Sequence, residues 1–238
     1  MRNVLAILEK EWLSYLNGSL IYVVVPTFLS LVGFFSLYFQ DIFVAGVLSM
    51  RGVFFWAALS YLLLIPAITM RSFADETRSG SMELLATMPI KDEELVLGKY
   101  LASLGLLMLT LVLSFTYPLT LSWLGDLDWG PVLGGYIGLF LLGAAFTAIG
   151  IAASASSNSQ VIAFILAFLV SLLPFLSGYT LSKVPSSLLP VIQYMSFEYH
   201  FNNLARGVID SRNVIYYGSI IALFLHLAYF QLQRRRMQ

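Results

Sequence analysis

The sequence predicts an all-α polytopic membrane protein, and three observations lead to this fold class. Of its 238 residues, 59% are hydrophobic and only 11% are charged, which is too apolar for a water-soluble domain of this length. The apolar runs last about 20 residues, the length that a helix needs to cross a bilayer. These runs also lack the alternation of apolar and polar residues that is typical of β-barrel strands. In lipid the backbone hydrogen bonds must then be formed within each run, which predicts helices.

Six apolar runs are long enough to be spans, at about residues 19–39, 54–70, 100–123, 132–153, 160–178 and 214–232. Four prolines lie inside these runs, where each removes a backbone hydrogen bond and tends to kink the helix: Pro26, Pro66, Pro118 and Pro174.

Small residues in the fourth run form a face that allows another helix to approach closely. They are Gly134, Gly138, Ala144, Ala148 and Ala152. We expect the helix that packs on this face to belong to the same chain.

Lysine and arginine predict the orientation of the spans. With the N-terminus in the cytoplasm, nine of the 13 bases fall on the inside and four on the outside. The inside bases are Arg2, Lys10, Arg71, Arg78, Lys91, Lys99, Arg234, Arg235 and Arg236, and the outside bases are Arg51, Lys183, Arg206 and Arg212. The positive-inside rule therefore predicts that both termini are cytoplasmic.

The segments outside the spans complete the predicted architecture. Residues 1–18 form an N-terminal interfacial helix or a plain helical lead-in to the first span. Its predicted apolar stripe consists of Val4, Leu5, Leu8, Trp12, Tyr15 and Leu16. Residues 154–160, SASSNSQ, are read as a cytoplasmic turn. Residues 179–213 form an extracytoplasmic segment with two pieces too short to cross, which we interpret as re-entrant or interfacial helices.

The composition disfavours several classes of function. The net charge is zero, so nothing indicates nucleic-acid binding, and the absence of cysteine excludes thiolate chemistry. The spans contain His226 as their only ionisable group, which disfavours a proton-driven carrier. His200 near Glu198 is a weak pairing, and no metal or nucleophile motif accompanies it. No phosphate-binding loop is present, so any nucleotide must be bound by another polypeptide.

The stretch Met70–Lys99 is the polar centre of the chain, with ten of its 26 charged residues. Gly80 is placed to cap a short helix from Ser81 to Thr87, which Pro89 ends, and Asp92 begins the next helix. Lys99 is interpreted as the point where that helix enters lipid. A short amphipathic helix at this position would lie on the bilayer or dock in a groove of a partner.

The motif PAITMRSFADETRSGSMELLATMPI, followed by ELVLGKYLA, resembles the signature of the type-2 ABC transporter permeases. Within that family the chain is most similar to the gliding-motility permease branch. Three further stretches support the resemblance: NGSLIYVVV, ASASSNSQVIAFIL and FNNLARGVIDSRNVIYY.

The resemblance implies a single permease domain over residues 1–238, with a coupling loop at residues 71–99. The chain would be no enzyme, and it would work beneath a cytoplasmic ABC ATPase that binds the ATP and Mg²⁺. A second permease subunit would complete a homo- or heterodimer in the cytoplasmic (inner) membrane. The resemblance is also compatible with a partner protein that has an extracytoplasmic domain. Carried onto this sequence, the residues that couple to the ATPase are Glu76, Arg78, Gly80, Ser81, Glu83, Leu84 and Leu85, with Gly98 and Lys99 matching the turn into the third span.

Two functions remain open from the sequence. The first is an export permease driven by a separate ATPase. The second is a membrane anchor or mechanical transmitter, which passes ATPase motion to an extracytoplasmic partner without moving cargo.

Overall fold

The computed structural model describes residues 2–39, 49–80, 90–178, 185, 189–208 and 210–236, and all secondary structure in these residues is helical. In chain order the helices are α1 Arg2–Asn17, α2 Leu20–Phe39, α3 Arg51–Thr69, α4 Arg71–Arg78, α5 Asp92–Ser114, α6 Thr116–Leu124, α7 Trp129–Ser156, α8 Gln160–Ser177, α9 Leu189–Met195, α10 Phe197–Ala205 and α11 Ser211–Arg236.

Six helical stretches are long and apolar enough to cross a membrane, which confirms the predicted number of spans. They are Leu20–Tyr38, Arg51–Arg78, Asp92–Leu124, Trp129–Ser156, Gln160–Ser177 and Ser211–Arg235. The second and third of them extend furthest beyond the predicted apolar runs. The second continues through α4 after a one-residue break at Met70, and the third begins at Asp92, so parts of the predicted loop at residues 71–99 are helical.

The turn predicted at residues 154–160 is shorter in the structure. Helix α7 continues through Ser156 and α8 begins at Gln160, which leaves only three residues between them. Polar serines suggested a loop, but a serine at a helix end can bond to the carbonyl four residues earlier. Ser156 Oγ does so with the Ala152 carbonyl oxygen at 2.8 Å.

All four prolines lie within helices, and the fourth lies just after a break between two helices. Pro26, Pro66 and Pro174 lie within α2, α3 and α8. Pro118 lies in the first turn of α6, just after α5 ends. Because proline has no N–H, the carbonyl of Ser114 four residues earlier loses its helical donor. The Tyr136 hydroxyl of α7 replaces that donor at 2.9 Å.

Helix α7 is the centre of the bundle. It packs against α3, α4, α5, α8, α10 and α11, and its apolar window is 78% buried, the largest share among the six spans. Glycines bring its neighbours close. A Cβ on Gly143 would lie 2.3 Å from Leu107 Cδ1, and one on Gly150 would lie 2.0 Å from Thr69 Oγ1. Both distances are far below van der Waals contact, so α3 and α5 approach α7 more closely than any larger residue would allow.

The small residues predicted to form a packing face all lie inside the protein: Gly134, Gly138, Ala144, Ala148 and Ala152. The first two face α10 of the same chain. A Cβ on Gly134 would lie 2.3 Å from the Leu204 carbonyl oxygen, and one on Gly138 would lie 3.1 Å from the Phe201 ring. The contact at Gly134 is with backbone, which cannot move aside as a flexible side chain can.

Helix α1 packs along α5 with part of the predicted stripe, because Tyr15 is buried and Trp12 contacts α5, together with Ile7 from outside the stripe. The buried residues of α1 are Ile7 and Tyr15, whereas Leu5 of the predicted stripe is 64% exposed. Two glycines of α5 make room for α1. A Cβ on Gly98 would lie 2.7 Å from Ile7 Cγ2, and one on Gly105 would lie 2.9 Å from the Trp12 ring.

The segment between the fifth and sixth spans contains two short helices, α9 and α10. Helix α9 buries none of its residues, whereas α10 buries Phe197, Phe201 and Leu204 against the bundle. Residues 179–184, 186–188 and 209 lie outside the described residues, so a re-entrant or interfacial position for this segment stays a prediction.

Substitution Gly134→Ala tests the contact between α7 and α10. We expect it to lower the free energy of unfolding by about 1–3 kcal/mol, because the new methyl group would meet backbone atoms in a packed region. Titration of the purified protein with a denaturing detergent measures this change. The matched control is Gly218→Ala in α11, where a Cβ would have no atom within 4 Å. Equal stability of the two variants would show that Gly134 is not a close-packing position.

Candidate functional site

The candidate site lies around α4, at the end of the bundle where the second span leaves its apolar core. We call it the α4 junction and define it by Glu11, Ser72, Glu76, Lys99 and Ser154. These residues come from α1, α4, α5 and α7, so the junction joins four helices that are distant in sequence.

Ser154 of α7 completes the backbone hydrogen bonding at the start of α4. Its hydroxyl oxygen accepts hydrogen bonds from the N–H groups of Phe73 at 3.0 Å and Ala74 at 3.1 Å, and the hydroxyl donates to the Met70 carbonyl oxygen at 3.0 Å. A hydroxyl offers one donor and two acceptor positions, and all three are used here. Ser154 is fully buried, so this one side chain holds the break between α3 and α4 against α7.

Lys99 is the centre of the junction. Its ammonium nitrogen donates to the Ser72 carbonyl oxygen at 2.7 Å, to Glu76 Oε1 at 2.8 Å and to Glu11 Oε1 at 2.9 Å. Lys99 is only 2% exposed, and an ammonium group has three N–H donors. Every donor of this buried charge therefore has an oxygen partner, and the three partners lie on two other helices.

Buried side chains lie around Lys99, among them Phe73, Tyr15 and Ser103. The Phe73 ring lies 5.1 Å from the ammonium nitrogen, in a cation–π arrangement. The Tyr15 hydroxyl forms a 3.2 Å hydrogen bond with Ser103 Oγ, and Ser103 in turn donates to the Lys99 carbonyl oxygen. Burial raises the pKa of Tyr15 to about 12, which keeps its hydroxyl protonated. Low polarity of this kind strengthens the Lys99 ion pairs and raises the cost of breaking one.

Further polar contacts tie other helix ends to α4 or to its neighbours. The Gln160 side-chain amide of α8 donates to Asp75 Oδ1. Arg235 near the end of α11 donates to Thr77 Oγ1 at 2.8 Å, and Asn3 of α1 donates to Glu94 of α5 at 2.9 Å. As a result, α4 has side-chain contacts with α1, α5, α7, α8 and α11.

The structure divides the predicted coupling residues into three groups. Arg78 and Gly80 are exposed at the end of α4, and Gly80 has a positive φ of 73° that suits glycine. Glu76 points inward to Lys99. Ser81, Glu83, Leu84 and Leu85, together with the predicted coupling helix, lie outside the described residues.

Gly98 and Lys99 differ most from their predicted setting. They were matched to a turn into the third span, and Lys99 was read as a residue at the lipid boundary. Both are buried within α5, where Gly98 receives Ile7 and Lys99 forms the ion cluster. The cause is that α5 begins at Asp92, two turns earlier than the apolar run, so this part of the helix lies against protein.

Sequence reasoning missed Glu11 and Ser154 as site residues. Glu11 lies between Ile7 and Tyr15 on the face of α1 that packs on α5, and an acid at the centre of such a face could have indicated a buried partner. Ser154 gave no usable signal, since its neighbours in the sequence are also small or polar and suggested a turn.

At the opposite end of the bundle, His200 and Glu198 do not form a common site. His200 forms a 2.7 Å hydrogen bond with Asn213 and stacks on Tyr216 with ring centroids 4.0 Å apart. Glu198 instead accepts a hydrogen bond from Asn202. Within the described part of the chain, no group of three or more His, Cys, Asp or Glu residues could hold a metal ion.

Six apolar helical stretches and a buried ion cluster at one end of the bundle define a multi-pass membrane protein. The family model described as ABC-2 family transporter protein matches residues 26–230, and the chain belongs to this family. It is therefore a permease of the ABC transporter class, a membrane component and not an enzyme itself, and the family implies an ATPase partner. A search of curated proteins found no match.

Substitution Lys99→Met tests the ion cluster. We expect it to lower the free energy of unfolding by about 3–5 kcal/mol, because Glu11 and Glu76 would keep their charges without their buried partner. Detergent-titrated unfolding measures the change. Adding Glu11→Gln and Glu76→Gln to this variant should recover part of the loss, since the unpaired charges are then removed.

The matched control for Lys99 is Lys10→Met. Lys10 lies 3.8 Å from the same Glu76 oxygen, but its side chain is 64% exposed, so its loss should change stability by about 0.5 kcal/mol or less. Equal effects of the two lysine substitutions would mean that burial does not strengthen the Lys99 contacts.

Substitution Ser154→Ala tests the joint between α3 and α4. It should cost about 1–3 kcal/mol, because the N–H groups of Phe73 and Ala74 lose their acceptor in a buried place. Hydrogen exchange should become faster at those two amides in particular. Ser156→Ala, which loses only a bond to its own helix, is the control. Unchanged exchange at both amides would contradict the assigned role of Ser154.

Proposed function

We propose that this chain is the permease subunit of an ATP-driven exporter, and that residues 81–89 dock on a separate ATPase subunit. The ATP and Mg²⁺ would be bound entirely by that ATPase. In this proposal the α4 end of the bundle faces the cytoplasm, both termini are cytoplasmic and the membrane is the inner membrane. A second permease subunit, identical or different, completes the pathway, and membership of the gliding-motility branch belongs to the same proposal.

The Lys99 cluster is the observation that carries this proposal. Residues 81–89 lie between α4, which ends at Arg78, and α5, which begins at Asp92. Lys99 binds α5 to α4 and α1, so it links the two helices between which that segment lies in the sequence. A force applied to residues 81–89 would therefore reach both flanking helices together, and neither could move without the other. A coupling element needs this property if it is to shift the bundle between two arrangements.

The predicted coupling residues have different roles in this proposal. Arg78, Gly80, Ser81, Glu83, Leu84 and Leu85 would meet the ATPase. Glu76 and Lys99 would transmit its motion from inside the junction, and Gly98 would keep α1 in close contact with α5. Cluster residues with oxygens already directed at Lys99 are poorly placed to bind a partner as well.

Helix α1 would lie in the membrane interface as part of the same unit. Its exposed residues include three leucines, Leu5, Leu13 and Leu16, which are 64%, 48% and 37% exposed. Leucines on a helix whose other face packs on α5 would enter the boundary between headgroups and acyl chains. The membrane surface would then resist rotation of α1, so that motion of α4 is directed into α5.

Export is favoured over force transmission without cargo, because the matching family is described as a transporter family. No further feature of the described residues favours an extracytoplasmic partner, which stays an allowed addition to the proposal.

The double substitution Glu83→Arg with Leu85→Asp tests docking. Affinity-tagged wild-type permease should co-purify with a soluble ATPase. The variant should retain less of the ATPase by a factor of about ten or more, as expected when contacts at the centre of an interface are lost. ATP hydrolysis measured on the two preparations gives a second readout.

The control for docking is Asp126→Arg, an exposed charge reversal at the other end of the bundle. It should leave ATPase retention unchanged. Wild-type permease that co-purifies with no ATPase, or a double variant that retains as much as wild type, would overturn the proposal.

A further inference from the structure

Two adjoining cavities lie at the end of the bundle opposite the α4 junction, and the same two arginines line both. The first has a volume of about 330 Å³ and lies between α3, α8 and α10. The second has about 420 Å³ and lies between the first turns of α3 and α7 and the end of α10. Arg51, Phe54, Ala205 and Arg206 contribute to both. We call the two cavities together the arginine cleft.

The cleft has an apolar floor beneath its charged rim. Four aromatic side chains line the first cavity: Phe54, Phe55, Phe175 and Phe201. Three of them are almost completely buried, so they form a preformed wall between the helices. Arg51 and Arg206, by contrast, are exposed. A pocket with aromatic walls and two cations at its mouth has the layout of a site for a molecule with an apolar part and an anionic part.

Neither guanidinium of the two arginines forms an ion pair among the described residues, although two carboxylates also line the cleft. Asp128 accepts a hydrogen bond from the Gly130 N–H as the cap of α7, and Glu198 accepts one from Asn202. Burial raises the pKa of Glu198, although Asn202 and Arg206 oppose this shift. Both carboxylates therefore have other partners, and the guanidinium forks are available to an oxyanion.

The position of Arg206 is fixed by tight backbone packing. Gly207 follows it with a φ of 86°, a conformation that favours glycine. A Cβ on Gly207 would lie 3.0 Å from the carbonyl carbon of Gly130, and one on Gly134 would lie 2.3 Å from the Leu204 carbonyl oxygen. The end of α10 is therefore held against the first turns of α7. The cleft has a rigid frame, which lowers the entropy cost of binding.

We propose that the arginine cleft binds an anionic amphiphile. A phosphate or carboxylate head lies between Arg51 and Arg206, and the first part of its apolar chain lies on Phe54, Phe175 and Phe201. This site is separate from the ATPase-docking segment, and binding to it requires no ATPase. The same anionic head could belong to a membrane lipid or to a free anion in solution. We favour an amphiphile, because the apolar floor offers a surface for its chain.

The test uses the purified full chain in a non-ionic detergent, without ATPase. Three probes are titrated and followed by native mass spectrometry: lysophosphatidylglycerol, lysophosphatidylcholine of the same chain length, and glycerol phosphate. Lysophosphatidylglycerol should bind saturably, with a Kd lower than that of either other probe by a factor of about ten or more. Only this probe joins a net anionic head to an apolar chain.

Variants locate the site. The exposed pair Arg51→Gln with Arg206→Gln should weaken lysophosphatidylglycerol binding by about tenfold or more, as expected for the loss of charge-assisted hydrogen bonds. Arg212→Gln, a nearby exposed arginine outside both cavities, should leave it unchanged. Ala58→Val narrows the first cavity while keeping both charges, and it should also weaken binding.

Three results would overturn the proposal. Equal binding of lysophosphatidylglycerol by wild type and the arginine double variant would show that the arginines do not hold the head. Equal binding of lysophosphatidylcholine would mean that the net charge of the head is not recognised. Glycerol phosphate that binds as tightly as lysophosphatidylglycerol would assign the cleft to free anions. A failure of ATPase docking would leave all three results unaffected, so the two proposals fail separately.

Discussion

The structure depends most on one buried ammonium group. Lys99 is only 2% exposed, and at such a position an unpaired charge would cost several kcal/mol, of the order of a whole domain's stability. Its three N–H donors are satisfied by Glu11, Ser72 and Glu76, which belong to two other helices. Because no donor remains for water, the positions of α1, α4 and α5 are set relative to a single nitrogen atom. Removing any one partner leaves a charge or a donor exposed to an apolar surrounding.

Buried hydrogen bonds also explain why α4 is an extension of the second span. Ser154 enters the helical hydrogen-bond ladder at Met70, Phe73 and Ala74, and a side chain inserted in this way is one of the recognised causes of a helix break. The break remains satisfied, so α4 is attached to α7 as well as to Lys99. A helix of eight residues would otherwise fray at its ends. Here the polar contacts add to the burial of Phe73 and Ala74 in the apolar core.

The sequence was sufficient for the number of spans, because long apolar runs in lipid leave the backbone no alternative to helix. It also indicated that α5 starts at Asp92. It could not indicate which charges meet, since Glu11 and Lys99 are separated by 88 positions. Lys99 stands at the end of an apolar run, where a lysine is expected to mark a membrane boundary, and that expectation gives no sign of its three buried contacts. Gly98 illustrates the same limit, because only the position of Ile7 explains why a glycine is needed there.

The two ends of the bundle are joined mechanically through α3. This helix begins at Arg51 in the arginine cleft and continues through the Ser154 joint into α4; its 19 residues correspond to about 29 Å of helix. Gly134 of α7 meets the backbone of α10, whereas Gly135 and Gly150 meet only the Phe54 and Thr69 side chains of α3. The Ser154 joint would pass a displacement of α4 along its axis into α3. Since Arg206 is held to α7 by backbone contacts and Arg51 belongs to α3, such a displacement would change the separation of the two arginines. A force delivered beside Lys99 would in this way alter the width of the cleft at the far end of the bundle.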